Sequence, residues 1–251
     1  MKATANNASG KSLHFGDSQP VTIWAFASPK GGPGKTTLAV AVGAELQRRA
    51  QGEVKLADLD YTANAFQHLT QGLETDGGIK IKGEHLASIA NKPTSLGAKI
   101  TEMANGAQFL ILDTPGAIEN TGAQYSLRVA DVVIVPVSPS VYDFTATQQA
   151  LELLAMISAG NPSQMSVVVV NKPEKTKIDQ QVQELLADYV ADKPAVYLAK
   201  TVVRKAVGFK ESAASGLPLW ALGSSGRNPT ADIVALCDEI LSLHQEHLNG
   251  Q

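Results

Sequence analysis

The sequence predicts an α/β fold in which a mostly parallel, twisted sheet carries helices on both faces. Short apolar runs without polar alternation recur along the chain, as expected for strands that are buried on both sides. Most of these runs are followed by a segment with helical periodicity. Several end in Asp, Ser or Asn, and the carboxyl ends of parallel strands form the edge at which such sheets bind ligands.

The composition narrows the class of protein. A chain of 251 residues with 44% hydrophobic and 18% charged residues is expected to form a globular protein with a large core. The net charge of −3 excludes a protein that is basic overall, so any nucleic-acid surface must be a local patch. The single cysteine, Cys237, excludes an intrachain disulfide. With no apolar run long enough to span a membrane and no signal-peptide core, we expect a cytoplasmic protein.

The elements follow in a regular order after residues 1–20, which are polar, lack periodicity and are expected to be a flexible tail. The remaining residues, 21–251, are expected to form one domain. Strands are predicted at 21–27, 53–58, 108–113, 131–137, 166–170 and 195–199. Helices are predicted at 38–50, 62–72, 84–105 with a break at Pro93, 144–158, 178–190 and 232–248.

A glycine-rich turn, Ser28 to Thr37, joins the first strand to the first helix and is the clearest functional signal. Glycines allow backbone N–H groups to approach phosphate oxygens, and the helix N-terminus adds a favourable potential. The predicted phosphate-binding residues are Gly31, Gly32, Gly34, Lys35, Thr36 and Thr37. Lys35 can reach the β- and γ-phosphates, and the Thr36 hydroxyl can ligate Mg²⁺.

The run Lys30-Gly-Gly-Pro-Gly-Lys-Thr-Thr resembles the deviant Walker A motif of the ParA/MinD family of P-loop ATPases. A strict Walker A motif would have glycine at position 29, where this chain has Pro29. The resemblance implies a P-loop NTPase fold that uses ATP and Mg²⁺. It also implies an ATP-dependent homodimer in which Lys30 reaches the partner subunit's nucleotide, so that Lys30 and Lys35 both serve catalysis.

Three carboxylates at strand ends extend the resemblance. Asp113 follows the apolar run 109–112, as the Walker B aspartate does, and is predicted to hold Mg²⁺. The turn 114–116 that follows resembles the family's switch II turn, which implies that it senses the γ-phosphate. Asp58 and Asp60 resemble the family's Asp-x-Asp signature, which implies that Asp60 orients the attacking water and that Asp58 supports the Mg²⁺ shell or the switch. The family usually continues with Pro-Gln, but this chain has Tyr61-Thr62.

Two residues are candidates for the adenine side of the nucleotide. Asn171 ends a predicted strand, where its amide could pair with the adenine edge as in the family, although Asn is also a common strand terminator. Pro218 could pack on the base. The stretch 131–144 also resembles the short partition ATPases of plasmids.

A basic segment is the candidate DNA surface, because phosphate binding requires only a patch of cations. Between positions 200 and 227 the only acid is Glu211, and the bases are Lys200, Arg204, Lys205, Lys210 and Arg227. The family resemblance implies that these bases bind DNA without reading its sequence. The chain after Arg227 contains acids but no Lys or Arg, unlike the basic amphipathic helix of MinD, so we expect no membrane partner.

The resemblance implies an ATPase that dimerises on ATP, binds nonspecific DNA on the nucleoid and drives plasmid or chromosome partition. A ParB-like partner would stimulate slow hydrolysis. Positioning of a protein cargo, and an accessory role in conjugative DNA transfer, remain open from sequence. A metabolic enzyme resembling dethiobiotin synthetase would need a substrate pocket near Lys30.

Overall fold

The computed structural model describes residues 21–174 and 176–250, apart from the side chains of residues 141–143. The tail expected at residues 1–20 lies outside the described residues. A seven-stranded sheet runs in the order β3-β2-β4-β1-β5-β6-β7, and every pair of neighbouring strands is parallel. The predicted fold class is therefore confirmed. The strands are β1 (Thr22–Phe26), β2 (Glu53–Asp58), β3 (Lys82–His85), β4 (Ala107–Asp113), β5 (Val132–Val137), β6 (Met165–Val170) and β7 (Val196–Leu198).

The strands β5 and β6 are rich in β-branched residues and are buried along their whole length. Helices cover both faces. They are α1 (Lys35–Arg49), α2 (Asn64–Glu74), α3 (Pro93–Ala104), α4 (Thr121–Val129), α5 (Val141–Ser158), α6 (Lys177–Ala191), α7 (Val207–Ser215) and α8 (Ser224–Asn249). One buried cluster joins the sheet to α3, α4, α5 and α6, and a second joins the other face to α1, α2 and α8.

The predicted helix at 84–105 is wrong over its first part. Residues 82–85 form the edge strand β3, and a short 3₁₀ turn follows at Ala87–Ile89. Its residues, Lys-Gly-Glu-His, are polar because an edge strand is half exposed, so they lack the apolar signature of a central strand. Pro93 begins α3, where its missing N–H costs nothing.

Three other elements differ from the prediction. The final helix begins at Ser224 rather than at Asp232. The helices α4 and α7 were not predicted, because each has nine residues and too few turns to establish a period. No helix in the described part of the chain is long and apolar enough to cross a membrane.

The sheet order brings the functional candidates to one edge. Strand β1 lies between β4 and β5, although it precedes both in sequence, so the loop after β1 leaves the middle of the sheet. In the register, Phe26 pairs with Asp113, and Asp113 pairs with Asp58. Asn171 follows β6 at the same edge. This convergence is the position at which parallel sheets bind ligands.

Candidate nucleotide-binding site

The loop between β1 and α1 is shaped by two glycines in the left-handed region. Gly32 has φ = 105° and Gly34 has φ = 100°. A Cβ atom at Gly34 would clash with Nδ2 of Asn171, so this position requires glycine both for its conformation and for its space. The Gly34 carbonyl accepts the first helical hydrogen bond of α1, from Leu38 at 2.9 Å. The remaining N–H groups of the first turn of α1 can therefore bind an anion.

Lys35 is held inside the loop. Its side chain is buried, and Nζ donates to Oγ of Ser28 at 3.0 Å. Ser28 donates in turn to the Lys30 carbonyl at 2.5 Å. Burial lowers the pKa of Lys35, while the charges of Asp113 and Asp60 act in the opposite direction. The lysine predicted to bind the phosphates is thus already positioned under the loop.

Lys30 has the opposite environment and is exposed at the outer side of the loop. The turn 114–116, predicted as the switch II equivalent, lies against this side, since a Cβ atom at Gly116 would be 3.4 Å from the Gly31 nitrogen. Thr114 Oγ1 donates to the Phe26 carbonyl at 2.8 Å and fixes the turn to β1. The cavity that Lys30 lines has a volume of only about 10 Å³, which is too small for the substrate pocket that the metabolic alternative requires.

Asp113 is completely buried, and neither of its carboxylate oxygens makes a well-formed hydrogen bond to a described residue. Burial raises its pKa to about 7. The nearby Thr36 hydroxyl acts in the opposite direction, the charge of Asp58 raises the pKa further, and the charge of Lys35 lowers it. A buried carboxylate without a partner is unfavourable unless a cation compensates its charge.

Asp58 and Asp60 shape the turn after β2. The two oxygens of Asp58 accept from the backbone N–H groups of Asp60 at 3.0 Å and Phe66 at 2.9 Å. Burial raises the pKa of Asp58, and these backbone hydrogen bonds oppose the shift. Oδ1 of Asp60 accepts from both the backbone and the hydroxyl of Thr62. This geometry favours a supporting role for Asp58 over direct coordination of a metal.

The residues at this edge fit a magnesium ion whose remaining ligands come from a bound nucleotide. No group of three or more His, Cys, Asp or Glu within 21–174 and 176–250 could hold a metal on its own. Asp113, with its two unpartnered oxygens, and the adjacent Thr36 hydroxyl supply the oxygen ligands that Mg²⁺ uses together with substrate phosphates. In this arrangement the ion would neutralise charge on the phosphates.

The adenine candidates are separated in the structure. Asn171 lies beside the loop, where Nδ2 donates to the Pro33 carbonyl at 2.6 Å. Pro218 lies against the middle of α1, in a small cavity lined by Ala41, Ala44 and Glu45. The structure therefore brings Asn171, but not Pro218, to the phosphate loop.

The basic segment is less positive in three dimensions than in sequence. The Arg204 guanidinium makes a bidentate pair with Asp232 of α8, with Nε to Oδ2 at 2.9 Å. Glu239 of α8 accepts from the backbone N–H groups of Lys200 and Thr201. Glu174 lies 3.9 Å from Lys205. Two of the five cations, Arg204 and Lys205, are thus paired with carboxylates from outside the segment, and Glu239 adds a third carboxylate beside its backbone. The local excess of positive charge counted along the chain is therefore reduced.

One neighbour of the loop had no predicted role. Nζ of Lys172 donates to the Gly32 carbonyl at 3.4 Å. Burial lowers the pKa of Lys172, and the charges of Lys205 and Lys210 lower it further. The only sequence signal was a lysine directly after a strand-ending Asn.

A cavity of about 480 Å³ adjoins the loop at Thr36 and Thr37. Its walls come from α1, α2 and α7, and they include His68, Phe209 and Ser212. Burial lowers the pKa of His68, whose ring lies 3.3 Å from the Ser212 hydroxyl. The cavity continues the phosphate loop on the side away from Lys30, and α2 and α7 form its rim.

Comparison with known proteins agrees with this geometry. Residues 24–219 match the family model for the CobQ/CobB/MinD/ParA nucleotide binding domain. Maintenance of carboxysome distribution protein A of Halothiobacillus neapolitanus is 24% identical over 218 residues, which cover 86% of this chain and 95% of that protein. Chromosome-partitioning ATPase Soj of Thermus thermophilus is 29% identical over 195 residues, with coverages of 67% and 77%. The structure of septum site-determining protein MinD with Mg-ADP from Pyrococcus horikoshii shares the fold, with a TM-score of 0.66, 18% identity and coverages of 90% and 98%.

Replacement of Asp113 by Asn should separate metal binding from folding. The variant should be at least as stable as the wild type at pH 8, because it removes a buried charge that the Thr36 hydroxyl and the Lys35 ammonium compensate only in part. It should lose most of the thermal stabilisation that Mg²⁺ and ATP give together, since the amide is a weaker ligand. Thermal unfolding with and without Mg-ATP checks both expectations. Full Mg-dependent stabilisation of the variant would contradict the assignment of Asp113 to the metal.

Replacement of Gly34 by Ala should abolish ATP binding by distorting the loop. The new Cβ atom would clash with Nδ2 of Asn171. In addition, the backbone at position 34 has φ = 100°, which strains any residue other than glycine. Gly106→Ala is the matched control, because Gly106 has φ = 74° but nothing within 4 Å of a Cβ atom. Both variants should lose about 1 kcal/mol or more of stability from backbone strain. Calorimetric titration with Mg-ATP should show binding only by Gly106→Ala, and equal binding by both variants would contradict this account of the loop.

Proposed function

The chain belongs to the CobQ/CobB/MinD/ParA nucleotide-binding family as a ParA/MinD-type ATPase, and from this we propose that it is an ATP-dependent switch acting in DNA partition. In this proposal two chains close on ATP and Mg²⁺, and the dimer holds nonspecific DNA on the nucleoid. A ParB-like partner then stimulates hydrolysis and releases the DNA. The cycle would move a plasmid or a chromosome region.

The observation that carries the proposal is the contrast between the two lysines of the loop. Lys35 is buried and faces its own loop, where it can bind the phosphates of the nucleotide in the same chain. Lys30 is exposed at the outer side, where a second chain can approach it. A site that needs both lysines at one γ-phosphate is completed by a partner, which makes dimerisation depend on ATP.

The hydrolytic step follows from the carboxylates at the strand ends. Asp113 and Thr36 would hold Mg²⁺, and the ion would neutralise part of the charge on the phosphates. Asp60 would orient the attacking water toward the γ-phosphate. In the structure Oδ1 of Asp60 accepts two hydrogen bonds from Thr62, which fix the orientation of the carboxylate. The second oxygen of Asp60 is then the one that would orient the water.

The DNA contact is proposed for the exposed cations of the basic segment. The cations of the segment that face solvent are Lys200, Lys205, Lys210 and Arg227, whereas Arg204 is paired with Asp232. Four cations per chain give a weak site, and joining two such sites in a dimer raises the affinity without any new contact. If a dimer engages about eight phosphates, the logarithm of its DNA affinity should fall with log salt at a slope of roughly −7.

Positioning of a protein cargo is a second candidate function. The match to the carboxysome distribution protein spans 95% of that protein and favours this candidate. The ATP cycle and the DNA surface would be the same in both cases. The cargo would then be a protein assembly instead of a plasmid or chromosome.

Analytical sedimentation should detect the proposed switch. The wild type should be a monomer with ADP and a dimer with ATP and Mg²⁺, and only the dimer should sediment with nonspecific duplex DNA. Lys30→Ala should still bind ATP but remain monomeric. Lys82→Ala, which removes an exposed lysine at the start of β3 and therefore at the edge of the sheet opposite to the phosphate loop, is the control and should behave as the wild type.

Two outcomes would contradict the proposal. One is a protein whose oligomeric state does not respond to nucleotide. The other is a dimer that forms on ATP but binds DNA no better than the monomer does.

A further inference from the structure

The structure places three lysines, Lys172, Lys205 and Lys210, near one another beside the phosphate loop. Asn171 forms a β-bridge with Val203, and the backbone N–H of Lys172 donates to the Val203 carbonyl at 2.8 Å. This pairing aligns the segment that follows β6 with the segment that carries Lys205. Lys210 follows one turn into α7.

The backbone of Lys172 directs its side chain toward the loop. Its φ of 58° lies in the left-handed region, which non-glycine residues seldom adopt. In this conformation Nζ reaches the Gly32 carbonyl and lies 3.4 Å from the position that a Cβ atom of Gly34 would take. The ammonium therefore borders the cradle in which phosphates are expected.

The cluster carries more positive charge than its neighbours compensate. Lys172 is partly buried, and Lys205 and Lys210 are near enough for their charges to disfavour its protonated form. Two carboxylates lie near the cluster. Glu211, which follows Lys210 in α7, is exposed and accepts a hydrogen bond from the Ser225 hydroxyl. Glu174 is 3.9 Å from Lys205, and both of those side chains are exposed. Exposed pairs of this kind contribute little. A polyanion bound in the loop would relieve the repulsion among the three ammonium groups.

We propose that Lys172, Lys205 and Lys210 bind the polyphosphate of the nucleotide, so that Lys205 and Lys210 serve ATP capture instead of the DNA surface. The inference rests on the proposed function and changes the role of two residues within it. When ATP binds, the Lys172 ammonium exchanges its hydrogen bond to the Gly32 carbonyl for one to a phosphate oxygen. The charges of Lys205 and Lys210 make the electrostatic potential at the loop more positive. The cluster favours ATP over AMP, because the attraction increases with the number of phosphate charges.

The test compares lysine variants from inside and outside the cluster. Lys210→Ala and Lys205→Ala should each raise the Kd for ATP by about 3- to 10-fold, as expected for a partly screened charge interaction. Their effect on AMP binding should be smaller. Lys172→Asn should weaken ATP binding at least as much, and Asn tolerates the left-handed backbone at this position. Lys200→Ala, in the same basic segment but outside the cluster, should bind ATP as the wild type does.

DNA binding at saturating ATP separates the two roles. Lys205→Ala and Lys210→Ala should keep the salt slope of the wild type, whereas Lys200→Ala should make it shallower by about two for a dimer. The inference is overturned if the Lys205 and Lys210 variants bind ATP normally and make the DNA slope shallower. It is also overturned if ATP binding by all the lysine variants equals that of the wild type. Failure of the wild type to dimerise on ATP would instead contradict the proposed function.

Discussion

The parallel pairing of β1 with β4 is the constraint on which the rest of the structure depends. It places Phe26, the last residue of β1, opposite Asp113. The loop then begins where the buried carboxylate ends its strand, and Thr114 is tied to the Phe26 carbonyl. Strands β2 and β6 extend the same edge outward to Asp58 and Asn171. The residues proposed to bind phosphate and Mg²⁺ thus lie at the same edge of the sheet as the turn 114–116.

Buried charge at this edge explains why the site favours a ligand. Lys35 and Asp113 are both removed from water, and burial shifts the pKa of each toward its neutral form. A nucleotide with its metal offers an anion to the lysine and a cation to the carboxylate. Binding of both would relieve two unfavourable environments at once.

The sequence was most informative where function depends on local backbone chemistry. Gly34 and Lys35 belong to a contiguous motif, and Asp113 follows directly from its apolar strand, so each could be predicted from its neighbours. The edge strand β3 could not, because its polar residues resemble a helix or a loop. The carboxylates that reduce the net positive charge of the basic segment, such as Asp232, lie outside it in sequence. They contact it only because α8 packs against it. The Lys172 cluster likewise depends on the pairing of Asn171 with Val203.

We propose that a complete ATPase site needs two chains, with the buried Lys35 and the exposed Lys30 approaching the nucleotide from different subunits. The most direct test is the rate of ATP hydrolysis per chain, measured at saturating Mg-ATP over a wide range of protein concentration. The account predicts a rate per chain that rises with concentration and then reaches a plateau as dimers form. A rate per chain that is measurable and constant down to the most dilute sample would show that one chain is sufficient, and would contradict the claim.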